Sequence, residues 1–159
     1  MRREVKEIIK QFYDDNVYVN PHLGHPKGRY KQMLMEKERA YIPPLIEEIR
    51  NRISTNIRLY NTVLFSAGGG YDYSEGVIID EFVMLRLSWL GPFATYDYCS
   101  APKESGERIK RELKEVLEDH SDVIILSNEE LLEYVDWLDC DSPFVGEYLS
   151  VWNCLFCEH

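Results

Sequence analysis

The hydrophobic period of this chain changes at residue 57, and that change limits what it can fold into more than any other feature. Before it, apolar residues recur at helical spacing. Val5, Ile8, Ile9 and Phe12 fall at i, i+3, i+4 and i+7, one stripe of a helix. Tyr30, Met33, Leu34 and Tyr41 suggest a second helix, after the turn-rich stretch "NPHLGHPKG" at 20–28. Ile42, Leu45, Ile46, Ile49 and Ile53 suggest a third, with Pro43 and Pro44 tolerated in its first turn. From Ile57 the period is two. Ile57, Leu59, Val63 and Phe65 alternate with Arg58, Tyr60, Thr62 and Leu64. Val83, Leu85, Leu87 and Trp89 alternate with Phe82, Met84, Arg86 and Ser88, so both runs predict strands.

"LGPF" at 90–93 turns the chain again. As a two-residue hairpin loop, Gly91-Pro92 would set Leu87 opposite Tyr96, Leu85 opposite Tyr98 and Arg86 opposite Asp97, an ion pair across the strands. From about Ser100 to Asp119 an amphipathic helix is expected, with Ile109, Leu113, Val116 and Leu117 on one side and pairs such as Glu107/Arg111 and Lys114/Glu118 on the other. "VIIL" at 123–126 reads as a buried strand. Ser127 and Glu130 form a capping box that opens a helix bearing Leu131, Leu132, Val135 and Leu138. "YLSVWNCLF" at 148–156 is rich in aromatic and β-branched residues and predicts a final strand. The expected class is α+β: N-terminal helices, then a mainly antiparallel sheet made of a β-meander and C-terminal strands, with helices packed on it. A length of 159 residues, 45% of them apolar, suits a single globular domain over 1–159.

Charge divides the chain as sharply as periodicity does. Residues 1–60 carry 12 Lys/Arg against 8 Asp/Glu, and residues 61–159 carry 6 against 20. After Lys114 there are twelve carboxylates and no Lys or Arg. Nucleic acid and anionic membrane surfaces are poor partners for such a chain, because both are bound through basic residues. A basic protein would be attracted instead. No apolar run reaches the roughly 20 residues that span a bilayer, and "MRREVKEIIKQFYDD" is unlike a signal peptide, so a soluble cytoplasmic protein with reduced thiols is expected. In charge character, though on no motif, the chain resembles bacterial immunity proteins that neutralise cationic toxins such as nucleases. That resemblance implies a small acidic inhibitor of a basic partner.

The stretch "SAGGGYDYSEG" at 66–76 bears on the same question. A phosphate loop leads from a strand into a helix N-terminus, whereas here glycine leads into more strand, and Asp72 and Glu75 would repel a phosphate. The stretch reads as a hairpin connection whose glycines permit positive φ. "YDYS" at 71–74 recurs as "YDYC" at 96–99; Tyr71 and Tyr73 are expected exposed, Tyr96 and Tyr98 against the core. The expected partner-binding surface comprises Tyr71, Asp72, Tyr73 and Glu75, then Glu129, Glu133 and Asp136 on the solvent side of one helix, then Asp139 and Asp141 in the loop that follows.

Catalytic and metal motifs are sparse. Cys154, Cys157 and His159 could join His22 and His25 around a metal. In the expected final strand, however, Cys154 and Cys157 point to opposite faces, so neither a metal nor another cofactor is expected. No G-x-S-x-G elbow is present. The alternative to a binding module is an enzyme, metal-dependent through those cysteines and histidines.

Overall fold

The computed structural model describes residues 1–12, 36–60, 74–99, 104–120, 122–137 and 150–156. Helix α1 (Arg3–Phe12) buries Val5, Ile9 and Phe12, the stripe expected from its spacing. A 3-10 turn (Arg39–Tyr41) runs directly into α2 (Ile42–Arg52), whose prolines occupy its first turn and whose buried side is Ile42, Leu45, Ile46 and Ile49. Strands β1 (Ile57–Tyr60), β2 (Ser74–Ile79), β3 (Val83–Ser88) and β4 (Phe93–Tyr98) follow as an antiparallel meander. Helix α3 (Glu104–Asp119) then crosses back, so that β5 (Ile124–Ile125) lies parallel to β4. The sheet order is β1-β2-β3-β4-β5. Helices α4 (Asn128–Leu131) and α5 (Val151–Leu155) complete the described elements. The architecture is α+β, as the change of period required.

Two cores result. Val77, Ile79, Val83, Leu85, Leu87 and Ala94 pack one sheet face against Ile46 and Ile49 of α2 and Ile109, Leu113 and Leu117 of α3. The second core joins Val5 and Ile9 of α1 to Leu90, Phe93, Leu126, Leu131, Val151, Leu155 and Phe156. They meet at the β3–β4 connection, where polar groups do the joining. The fully buried Ser88 hydroxyl donates to the Leu155 carbonyl at 2.6 Å and accepts from the Leu90 N–H at 3.2 Å. The Tyr41 hydroxyl donates to the Ser88 carbonyl at 2.9 Å and the Phe93 carbonyl at 3.2 Å. Burial pushes that phenol far above the ordinary tyrosine range, so it stays a donor.

Three expectations are corrected. The β3–β4 register is shifted by two: Leu87 faces Ala94, Arg86 faces Thr95, Leu85 faces Tyr96 and Met84 faces Asp97. The connection contains Trp89, Leu90, Gly91 and Pro92, not a two-residue loop, because Ser88 and Tyr41 engage the groups that a tighter hairpin would pair across the ladder. A shift of two keeps every side chain on its face while changing every partner. Arg86 and Asp97 are therefore not paired.

The helix after Ser127 keeps its capping box, but α4 ends at Leu131. Beyond it the helix is not continued: Leu132 closes a turn, Tyr134 bridges Ser150, and the Glu133 carbonyl accepts from the Val151 N–H at 2.9 Å. The expected final strand is instead α5. Ser150 accepts from the Asn153 N–H at 3.3 Å, and Asn153 Oδ1 accepts from the Ser150 N–H at 3.0 Å. This reciprocal cap, with burial of Val151, Cys154, Leu155 and Phe156, outweighs the strand preference of the sequence.

Candidate functional site

The expected surface is only partly among the described residues. Tyr71, Asp72, Tyr73, Asp139 and Asp141 lie outside them, as do His22, His25, Cys157 and His159. Glu75 is not a loop acid. It sits in β2 opposite Leu87, half-buried, and burial pushes its carboxyl above the ordinary range while the Trp89 indole and Arg39 oppose the shift. Glu129 is exposed in α4, whereas Glu133 and Asp136 follow the end of that helix. The three do not share one helix face. Cys154 is buried in α5, so the two-faced strand that set it apart from Cys157 does not form. Among the described residues no group of three His, Cys, Asp or Glu is placed to hold a metal ion.

The chain after α4 builds a different surface from the expected one. Leu132 is 71% exposed and Tyr134 64%, although Leu132 was expected on a buried helix face. Glu129, Glu133 and Asp136 stand in the same short run, and residues 122–137 carry five carboxylates with no Lys or Arg. Helix α1 approaches this run with basic groups. Arg2 pairs with Glu130, the Met1 amino group with Glu133 at 2.5 Å, and Lys6 and Lys10 lie 4.9 and 5.9 Å from the Trp137 ring centre. Burial works against ionisation of Glu130, but the Ser127 N–H, Arg2 and the Ser127 hydroxyl hold its carboxyl below the usual range. Glu129 and Asp136 are exposed and make no ion pair among the described residues. The result is two exposed large side chains in a run whose Glu129 and Asp136 have no ion pair among the described residues.

A cavity of about 570 Å³ has Leu132 in its lining. Met84 and Arg86 of β3 and Thr95 of β4 form its floor, with Leu131, Leu132 and Trp152 around them. Arg86 lies over the Trp152 ring, its guanidinium carbon 5.3 Å from the ring centre, and Trp152 stacks in turn on Phe156 at 5.2 Å. Arg86 Nη1 donates to Ser74 Oγ at 3.4 Å. Asp97, at the rim, is engaged elsewhere: Oδ1 accepts from the Tyr98 N–H at 2.8 Å and lies 3.8 Å from Lys110 Nζ.

A separate charged cluster joins α2 to α3. Glu48 accepts from His120 and from Arg52 at 2.8 Å, and Arg52 also reaches Asp119 at 2.6 Å. The Arg52 and His120 hydrogen bonds hold the Glu48 carboxyl below its usual range. With the sheet, both cores and these clusters in place, the chain is defined as an α+β fold of one five-stranded sheet. No family model, curated protein or solved structure matches it. No helix among the described residues is long and apolar enough to cross a membrane.

Proposed function

We propose that this chain is a binding module for a basic protein, of the immunity or inhibitor type, acting through the patch of Leu132 and Tyr134. The observation that carries the reading is two large, exposed hydrophobic side chains within a run of five carboxylates that contains no Lys or Arg. Apolar surface rimmed by polar groups is where proteins dock. The rim sets the sign of the partner: Glu129 and Asp136 favour an approaching cation and penalise an anion. Tyr71, Asp72, Tyr73, Asp139 and Asp141 have the same chemistry and remain in the proposed surface, whereas Glu75 leaves it.

The division of labour follows from physics. Exposed carboxylates act at a distance, about 8 Å at physiological ionic strength, and so govern encounter. Desolvated apolar anchors govern residence, where truncating a true hot spot costs about 2 kcal/mol or more. The test is capture of the physiological partner, followed by kinetics with both purified proteins. Glu129→Lys with Asp136→Lys should chiefly slow association, and Leu132→Ala with Tyr134→Ala should chiefly speed dissociation. An acidic partner, or unchanged rates in both double variants, refutes the proposal. The alternative, a metal-dependent enzyme, rests on His22, His25, Cys154, Cys157 and His159; elemental assay of the purified protein addresses it.

A further inference from the structure

We infer that the cavity over Arg86 is a binding site for a small organic carboxylate, an acid with an aromatic or aliphatic body, and this goes beyond the partner reading. The starting point is the register. With Arg86 opposite Thr95 rather than Asp97, the guanidinium faces a cavity with no carboxylate paired to it among the described residues. Among the described residues its five donors have one long hydrogen bond, to Ser74. Among the described residues this half-buried cation has no carboxylate counterion, and an anion entering the cavity supplies one.

The walls choose the class of anion. A planar carboxylate matches the guanidinium fork through two parallel hydrogen bonds, and the guanidinium already lies over the Trp152 ring. Thr95, 8% exposed, places a hydroxyl on the same floor. Met84, Leu131 and Trp152 offer apolar walls to the rest of the molecule. A phosphate monoester is disfavoured, because the described lining contains one cation and Asp97 stands at its rim. The volume, about 570 Å³, lies within the roughly 300–1,000 Å³ usual for ligand pockets with few polar groups and many apolar ones.

The probe is 3-phenylpropanoate, compared with its uncharged amide, titrated into the full chain and followed by the Trp152 indole and Thr95 amide NMR signals. Expected is saturable movement of these signals, with the amide at least about tenfold weaker and inorganic phosphate without effect. Arg86→Gln should lose about tenfold or more in affinity for the acid, and Arg86→Lys should recover only part of it. Thr95→Val, nearly isosteric, should weaken the acid while leaving the fold intact. No saturable movement, equal binding of acid and amide, or movement confined to other regions overturns the inference. If Arg86→Gln does not fold, the acid and amide comparison on the unaltered chain decides alone. Glu129→Lys with Asp136→Lys should leave probe binding unchanged, so loss of the partner reading and loss of this site are separable.

Discussion

Ser88→Ala should be among the most damaging single-atom changes in the molecule. The Ser88 side chain is fully buried, and its hydroxyl holds two backbone groups from different places: the Leu90 N–H in the β3–β4 connection and the Leu155 carbonyl at the end of α5. Alanine keeps the strand and removes one oxygen. A buried donor left without a partner costs about 1–3 kcal/mol, and the lost bond to Leu155 adds about 1 kcal/mol. Leu90 and Leu155 are themselves buried, so water does not reach either group cheaply. The expected loss is therefore about 2–4 kcal/mol. For a chain of this size it lowers Tm by roughly 5–15 °C. Urea unfolding at an unchanged m-value measures the loss, with exposed Ser105→Ala as a control within about 0.5 kcal/mol of wild type. A loss below about 0.5 kcal/mol for Ser88→Ala would show that this hydroxyl does not join the two cores.

Gly91→Ala should cost about 1–3 kcal/mol, because a Cβ there would lie 2.7 Å from the buried Phe93 ring, with Ile8 behind it; an unchanged urea midpoint would contradict this. Glu48 has its folded-state pKa lowered by Arg52 and then His120 from 4.5, so its contribution to stability is complete above that value and is lost as pH falls through the lowered one. Glu48→Gln should accordingly flatten the fall in stability on the acid side, and an identical pH profile would count against the cluster. Cys99, though exposed, has its thiol pKa raised by partial burial and then by Glu81, so iodoacetamide at about pH 8 should modify it more slowly than a free cysteine. Peptide mapping reads the rate at that position, and labelling at the free-cysteine rate would refute it.

Where the sequence pattern was periodic, it carried the fold. Val5, Ile9 and Phe12, Leu45 and Ile49, and Ile109 and Leu113 are buried on the faces that their spacing assigned. The β3 face also followed, since alternation survives a register shift of two, whereas Leu59 of β1 is 45% exposed. What failed depended on single polar contacts. Ser88 and Tyr41 set the length of the β3–β4 connection, and nothing in "LGPF" shows that a tyrosine from the 3-10 turn will bond to its ends. The β2–β3 turn is similar: Asp80 and Glu81 take φ of 50° and 62° without a glycine to mark them, and Ser54 donates to Asp80 at 2.8 Å from the α2–β1 connection. The cap of α5 was visible in principle as Ser150 and Asn153, a variant with asparagine where Glu or Gln is usual. The exposed pair Leu132 and Tyr134 was hidden for a related reason. The period placed Leu132 on a helix that ends one residue before it.

The charge asymmetry also means something different once the chain is folded. In the sequence it suggests one acidic half waiting for a cation from outside, yet the fold brings the basic α1 against the most acidic described run. Arg2, at 46% side-chain exposure, and Glu130, at 23%, form an exposed to half-exposed pair of the sort that contributes about 0–1 kcal/mol, so charge does not hold α1 in place. Burial of Val5, Ile9 and Phe12 does, at about 1.5–3 kcal/mol for each large apolar side chain. The basic side chains then act on the field rather than on stability. Met1 and Arg2 cancel Glu133 and Glu130 on one flank, while Glu129 and Asp136 stay open beside Leu132 and Tyr134. Under the proposed reading, a cation approaching this described run meets open carboxylates, Glu129 and Asp136 among them, rather than all five.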